Sequence, residues 1–324
     1  MASKRVTIVS PARAQQNNGN WQTARRWALF LRERYDVEIV LEWTAAMPAP
    51  DVMIALHARR SAPSLAAFAG AHPFRPAALV LTGTDLYRDI ATDRAAQASL
   101  KTASVLVLLQ DAGLALLPPA MRGKARVIYQ SAPALAPYPH PQSRRAYSIS
   151  MIGHLREEKD PGTFIAAAAL VRNPTARMVH IGGALDPLLG AAAEAAQASN
   201  PHYRWLGNLP HSATRQRLKR SHAMVIASRM EGGANVIIEA VTSGVPVLAS
   251  DISGNRGMLG DDYEGYFAPG DAAALAVLID RSIDDPAFYR RLRAQCEARG
   301  ALFAPAAEQA AVLRLVDNLL NTHQ

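Results

Sequence analysis

Short runs of β-branched and apolar residues alternate with helical patterns along the chain, and this rhythm limits the fold more than any other feature. Runs at residues 6–10, 37–41, 52–56, 79–82 and 105–109, with a helical pattern over 21–34 after the first, read as βαβ units. Such units build a parallel sheet. The rhythm resumes with runs at 148–152, 178–181, 203–206, 224–227 and 247–249, and with a helix starting at Pro161 behind a capping Asp160. A second parallel sheet is therefore expected. In such sheets ligands bind beyond the carboxyl ends of the strands, so the residues just after each run are the candidates for function.

Between the two series, residues 132–147 carry Pro133, Pro137, Pro139 and Pro141, followed by Arg144 and Arg145. Proline without helical or strand patterning reads as an extended linker. At 324 residues the chain exceeds one ordinary core, which agrees with two lobes. The expected division is 1–145, 146–304, and a terminal segment 305–324. The helical pattern of that segment, over about 306–320, follows Phe303-Ala304-Pro305 and is a candidate to pack back on the first lobe.

Composition excludes several classes. Hydrophobic residues make up 49% of the chain, yet no apolar run reaches the roughly 20 residues a membrane-spanning helix needs. Met1-Ala2-Ser3-Lys4-Arg5 passes straight into a strand-like run without the parts of an export signal, so a cytoplasmic location is expected. The single cysteine, Cys296, permits no intrachain disulfide and fits a reducing compartment. The charge of +8 is mostly arginine spread along the sequence, and aromatics are only 6%. A nucleic-acid surface, which clusters basic residues and interleaves aromatics, is not indicated. Scattered arginines do suit phosphorylated ligands.

The segment from Ser228 to Val247 reads strand end, glycine turn, helix, glycine stop, strand. Gly232 and Gly233 allow a tight turn close to a ligand, and the helix opening at Ala234-Asn235 offers backbone N–H groups to an anion. Glu231 and Glu239 bracket this turn, and carboxylates accept hydrogen bonds from sugar or ribose hydroxyls. The structural alternative is a helix-start charge and a surface acid. Gly244-Val245-Pro246 and the turn Asp251-Ile252-Ser253-Gly254-Asn255-Arg256 follow.

This arrangement resembles the Glu-x7-Glu signature of the retaining GT-B glycosyltransferases of the family 4 type. The resemblance implies two Rossmann-like domains facing a central cleft. It also implies that Glu231 contacts the transferred sugar and that Glu239 grips the ribose of a nucleotide-sugar donor. Gly153-His154-Leu155-Arg156-Glu157-Glu158-Lys159-Asp160 is similar to the family's Gly-Arg-Leu-x-x-x-Lys segment. By that resemblance Lys159 neutralises the donor diphosphate, a charge that grows as the sugar–phosphate bond breaks. His154 stands where the family usually has arginine, and Arg156 is the substitute cation. There is no Asp-x-Asp pair, and His180, His202, His211 and His222 show no metal spacing, so no metal or cofactor is expected.

In the first lobe the polar loop 15–21 follows the first strand, and Asn18 and Gly19 are placed to line donor or acceptor; the alternative is a helix capped by Asn20. Two other strand ends read Leu56-His57-Ala58-Arg59-Arg60 and Leu81-Thr82-Gly83-Thr84-Asp85, with Thr82 where family members often carry histidine. Together with Asn18-Gly19-Asn20-Trp21 and Gly153–Pro161, the stretches 55–61 and 81–89 around these strand ends resemble the bacterial selenosugar synthases of selenoneine biosynthesis. That resemblance implies a UDP-sugar (UDP-GlcNAc or UDP-glucose) and selenophosphate as substrates, joined through a carbon–selenium bond. An anionic acceptor calls for cations, and Arg13, Arg59 and Arg60 all follow first-lobe strands, with Thr84 and Asp85 beside them. Transfer to a hydroxyl is the alternative, with His57 as base. A noncatalytic nucleotide-sugar sensor is a further alternative. An oxidoreductase is disfavoured because Ser10-Pro11-Ala12-Arg13 replaces a glycine-rich dinucleotide turn.

Overall fold

The computed structural model describes residues 3–12, 19–139 and 146–322. They form two compact units: Met1–Ser131 with Glu231–Gly233 and Pro305–Gln324, and Ala132–Met230 with Ala234–Ala304. The division falls at the start of the proline-rich segment, whereas the sequence suggested residue 145. Hydrogen bonds explain the difference. Arg215 donates Nη2–H to the Pro133 carbonyl at 2.7 Å, and the Leu135 N–H donates to the Thr242 carbonyl at 3.3 Å. Both bonds tie the segment to the second unit.

The first unit runs β1 (Arg5–Val9), α1 (Gly19–Leu31), β2 (Asp36–Val40), β3 (Val52–Leu56), α2 (Ala62–Ala71), β4 (Ala77–Leu81), α3 (Ile90–Thr92), α4 (Arg94–Thr102), β5 (Val105–Leu108), α5 (Pro119–Arg122) and β6 (Ala125–Val127). Its six strands lie in the order β2-β1-β3-β4-β5-β6, all parallel. Every residue of β3 and β4 is buried, as expected for parallel strands covered on both faces. Alternate residues go to opposite sides. Ile8, Ile54, Leu56 and Val80 join Trp27 and Leu31 of α1, together with Val312, Val316 and Leu319 of the helix Pro305–Thr322. Met53, Ala55, Leu79 and Leu81 join Phe68 of α2 and Leu100 of α4 on the other face.

The helix Pro305–Thr322 is thus part of the first unit's core. It is fixed there by Glu308, 1% exposed, whose carboxylate accepts from Arg26 Nε, Trp27 Nε1 and the Ser131 N–H, each at 2.7 Å. Asn20 already lies inside α1, so it does not cap that helix.

The second unit runs β7 (Tyr147–Ile152), α6 (Pro161–Leu170), β8 (Ala176–Ile181), α7 (Pro187–Ser199), β9 (Tyr203–Trp205), α8 (His211–Lys219), β10 (Ala223–Ile226), α9 (Asn235–Val241), β11 (Val247–Ser250), α10 (Ser253–Leu259), β12 (Tyr266–Phe267), α11 (Ala272–Asp284) and α12 (Pro286–Arg299). The strand order is β12-β11-β10-β7-β8-β9, again all parallel. Asp-Pro pairs start α7 and α12, where Asp186 and Asp285 accept from free N–H groups of the first turn. Asp160 departs from the expectation. It sits in the left-handed region at φ 46° and makes no side-chain cap to α6. Among the described residues, no helix is long and apolar enough to cross a membrane.

Candidate functional site

In each sheet the strand order reverses once, between β1 and β3 in the first unit and between β7 and β10 in the second. At such a point neighbouring loops leave in opposite directions and open a crevice at the carboxyl ends of the strands. In the second unit the loops after β7 and β10 flank this point, and they carry His154, Arg156, Lys159 and the turn that leads into α9.

In the second unit, the loop after β7 carries His154, Arg156 and Lys159. It is tied to the loop after β10 by Arg229, whose N–H donates to the Glu158 carbonyl at 2.9 Å and whose guanidinium pairs with Asp160 at 3.1 Å. The end of β8 packs directly on it. A Cβ on Gly182 would fall 1.9 Å from the Gly153 carbonyl oxygen, so only glycine fits there. Underneath, buried His180 donates Nε2–H to that carbonyl (3.3 Å) and accepts from the Tyr203 hydroxyl at Nδ1 (3.1 Å). Burial lowers its pKa to about 4, so it holds the loop as a neutral ring.

His154 receives the Gly183 N–H on Nδ1 at 3.1 Å. Burial, followed by the charge of Arg156 and then that of Lys159, holds its pKa below the ordinary value. The neutral ring therefore carries its proton on Nε2 and offers a donor, where the family's arginine would offer a charge. The Lys159 stem passes 3.7 Å from where a Gly153 side chain would begin. Arg156 is half exposed, 4.0 Å from Glu158. Lys159 and Arg156 are thus the loop's cations.

Helix α9 starts without a side-chain cap at Ala234 and ends through Gly244, whose φ of +72° turns the chain into β11. Glu239 is 8% exposed, and its Oε1 lies 2.7 Å from His211 Nε2 at the start of α8. After β11, Arg256 grips Asp251 with two nitrogens at 2.5 and 2.8 Å, and buried Asn255 donates to the Ser250 carbonyl at 2.8 Å. These bonds give the turn after β11 a fixed shape.

In the first unit, Asp85 is fully buried. Its Oδ1 accepts from the N–H groups of Thr82 (2.9 Å) and Gly83 (2.8 Å), and its Oδ2 accepts from that of Ala58 (2.8 Å). The carboxylate thereby holds together the loops after β3 and β4. His57 is likewise enclosed at 2% exposure, with φ 74°. Its Nδ1 receives the Arg60 N–H at 3.4 Å, and its Nε2 lies 3.2 Å from Thr84 Oγ1 and 4.0 Å from Asp89. Burial lowers its pKa, with Arg60 and Arg59 adding to that effect against the pull of Asp85 and Asp89. With both nitrogens engaged, the ring bridges the loops after β3 and β4.

Asp89 is buried and flanked by Arg59 at 3.2 Å and Arg88 at 3.1 Å. Arg59 therefore arrives at the strand ends already paired, while Arg60 is exposed. Glu231–Gly233 are grouped with this unit. A Cβ on Gly232 would lie 2.5 Å from the Thr82 carbonyl, and one on Gly233 2.7 Å from Leu109 Cβ. These glycines are required by neighbouring protein atoms, a reason the sequence did not reveal.

Arg13 and Asn18 lie outside the described residues, and Gly19 opens α1. Among the described residues there is no His, Cys, Asp and Glu group that could hold a metal ion. Burial raises the Cys296 thiol to about 11, which suits an inert core position. Sequence reasoning missed the pairing of His211 with Glu239. Their separation of 28 residues leaves no local signal.

The fold recurs widely. Over 98% of this chain and 100% of the other, it superposes on the Anabaena protein Alr3699/HepE in complex with UDP, at 16% identity and a TM-score of 0.76. With the same coverage it superposes on sucrose-phosphate synthase from Thermosynechococcus elongatus, at 16% identity and a TM-score of 0.77. Both likenesses establish the two-sheet GT-B architecture.

In sequence, a D-inositol 3-phosphate glycosyltransferase of Frankia alni is 29% identical over 180 residues, 51% of this chain and 44% of that protein. A glycogen synthase of Mycobacterium tuberculosis is 33% identical over 89 residues, 27% of this chain and 22% of that enzyme. The matches span less than half the length of these curated relatives. The profile of the family described as Glycosyl transferases group 1 matches residues 140–301, half of the chain. That match takes in the loop carrying Lys159 and the helix carrying Glu239, and the chain belongs to the Glycosyl transferases group 1 family.

Proposed function

We propose that the protein transfers a glycosyl group from a UDP-sugar, and that its acceptor is selenophosphate. The observation that carries the donor half is Glu239, a nearly buried carboxylate held on α9 beside the strand-order reversal of a Rossmann-like sheet. A carboxylate so placed accepts paired ribose hydroxyls. Lys159 and Arg156, on the loop across that reversal, supply positive charge for a leaving diphosphate, and His154 adds a neutral donor. The solved complex of Alr3699/HepE with UDP-glucose has the same fold and supports UDP as the nucleotide.

The acceptor half rests on the resemblance of residues 55–61, 81–89 and 153–161 to the selenosugar synthases. In the proposed step, selenium of selenophosphate attacks the anomeric carbon and the carbon–oxygen bond to UDP breaks with its electron pair leaving on UDP. Hydrolysis of the phosphorus–selenium bond then frees the selenosugar and phosphate. A selenium anion needs no base, which agrees with the enclosed ring of His57.

Mass spectrometry after incubation with UDP-GlcNAc or UDP-glucose and selenophosphate is expected to show a selenium-containing sugar and released UDP. Transfer to hydroxyl acceptors with no selenosugar would overturn the acceptor assignment. Undiminished UDP affinity of Glu239→Ala in calorimetry would overturn the donor assignment.

A further inference from the structure

We infer that His211 is a positioning residue for the nucleotide, acting through Glu239. The inference rests on the reading of Glu239 as the ribose-binding carboxylate. His211 is the first residue of α8, directly after Pro210, and α8 lies against α9. Its Nε2 sits 2.7 Å from Glu239 Oε1, the spacing of a strong hydrogen bond to a carboxylate. The acceptor is a carboxylate oxygen, so the ring nitrogen carries the proton and donates. The imidazole side chain is half exposed while that of Glu239 is 11% exposed, so the ring stands on the solvent side of the acid.

A glutamate side chain has three rotatable bonds, and gripping two vicinal hydroxyls needs one of its many conformations. Anchoring Oε1 through His211 fixes that conformation before the nucleotide arrives and leaves Oε2 to accept from the hydroxyls. The ordering cost is then met in the free protein. Immobilising one such side chain is worth roughly a three- to tenfold change in affinity. His211 touches no reacting atom in this scheme. Its removal should weaken donor binding and leave the chemical step alone.

The test uses the full chain with UDP as the probe. His211→Ala is expected to raise the UDP dissociation constant roughly three- to tenfold, and to raise KM for the UDP-sugar similarly with kcat unchanged. His211→Gln, which can still donate to Oε1, should restore most of the affinity. With 2′,3′-dideoxy-UDP the penalty of His211→Ala should vanish, because there are no hydroxyls for Glu239 to grip. In the Glu239→Ala background, His211→Ala should add nothing. Equal losses for UDP and its dideoxy analogue, or additive losses in the double variant, would overturn the inference. If Glu239→Ala itself leaves UDP binding intact, the donor reading fails first. If Glu239→Ala weakens binding and His211→Ala does not, only the role of His211 falls.

Discussion

Replacing Asp85 with asparagine should loosen the two strand-end loops that carry Arg59, Arg60 and Thr84. The native carboxylate accepts three backbone N–H bonds, from Ala58 at 2.8 Å, Thr82 at 2.9 Å and Gly83 at 2.8 Å, in a fully buried setting. Asparagine has one acceptor oxygen. Its best orientation keeps Thr82 and Gly83 bonded and turns its NH2 group against the Ala58 N–H, so that two donors face each other. An unsatisfied buried N–H costs about 1–3 kcal/mol. The two surviving bonds change from a charged to a neutral acceptor and each weakens by about 1 kcal/mol. The loops should therefore open more easily by about 4 kcal/mol, or roughly a thousandfold in amide exchange at Ala58 and Gly83. Hydrogen exchange resolved to single residues measures this, with amides of β7 and β8 as the internal control. Exchange at Ala58 within about threefold of the parent protein would refute the reasoning, since roughly a thousandfold is expected.

Glu308→Ala removes the shared acceptor of Arg26, Trp27 and Ser131 and breaks a buried ion pair, which costs about 3–5 kcal/mol. The melting temperature of the first unit should fall by roughly 10 °C in calorimetry, and a shift below about 2 °C would contradict the role given to this residue. His180 titrates near 6.5 when unfolded and at about 4 when folded, so unfolding takes up a proton between those values. Its contribution to stability is complete above pH 6.5 and declines as pH falls toward 4, by about 3 kcal/mol in all. Urea unfolding of the second unit across that range should show the slope, and His180→Leu should remove this part of it.

The alternation of strand and helix was legible because β3 and β4 are unbroken apolar runs and the helices between them carry clear patterns. Two of the short strands were not. Ala125–Val127 has Arg126 at its centre, and Tyr266–Phe267 is only two residues long, so pairing with a neighbour rather than local preference defines them. Of the candidate site, the turn and helix that carry Glu239 and the loop that carries Lys159 were legible as local structure, because each lies in one contiguous stretch between strands. Asp85 was legible as a polar residue at a strand end, but its bonds to Ala58, Thr82 and Gly83 appear only when two loops meet. The pairing of His211 with Glu239 is equally nonlocal. Asp160 misled for a different reason: an acid before proline usually caps a helix, and here its left-handed backbone conformation and the pull of Arg229 and Thr163 take the carboxylate elsewhere.

The helix Pro305–Thr322 has a consequence for how the chain is made. With α1 it covers one face of the first sheet, yet it leaves the ribosome only after the whole second unit. Until then Ile8, Ile54 and Val80 lack their covering from Val312, Val316 and Leu319. Nascent domains ordinarily complete themselves in order of emergence. Here the later unit holds its own elements between residues 132 and 304, apart from a three-residue detour, and can finish first. The earlier unit keeps that apolar face short of one covering helix until the end of the chain has emerged.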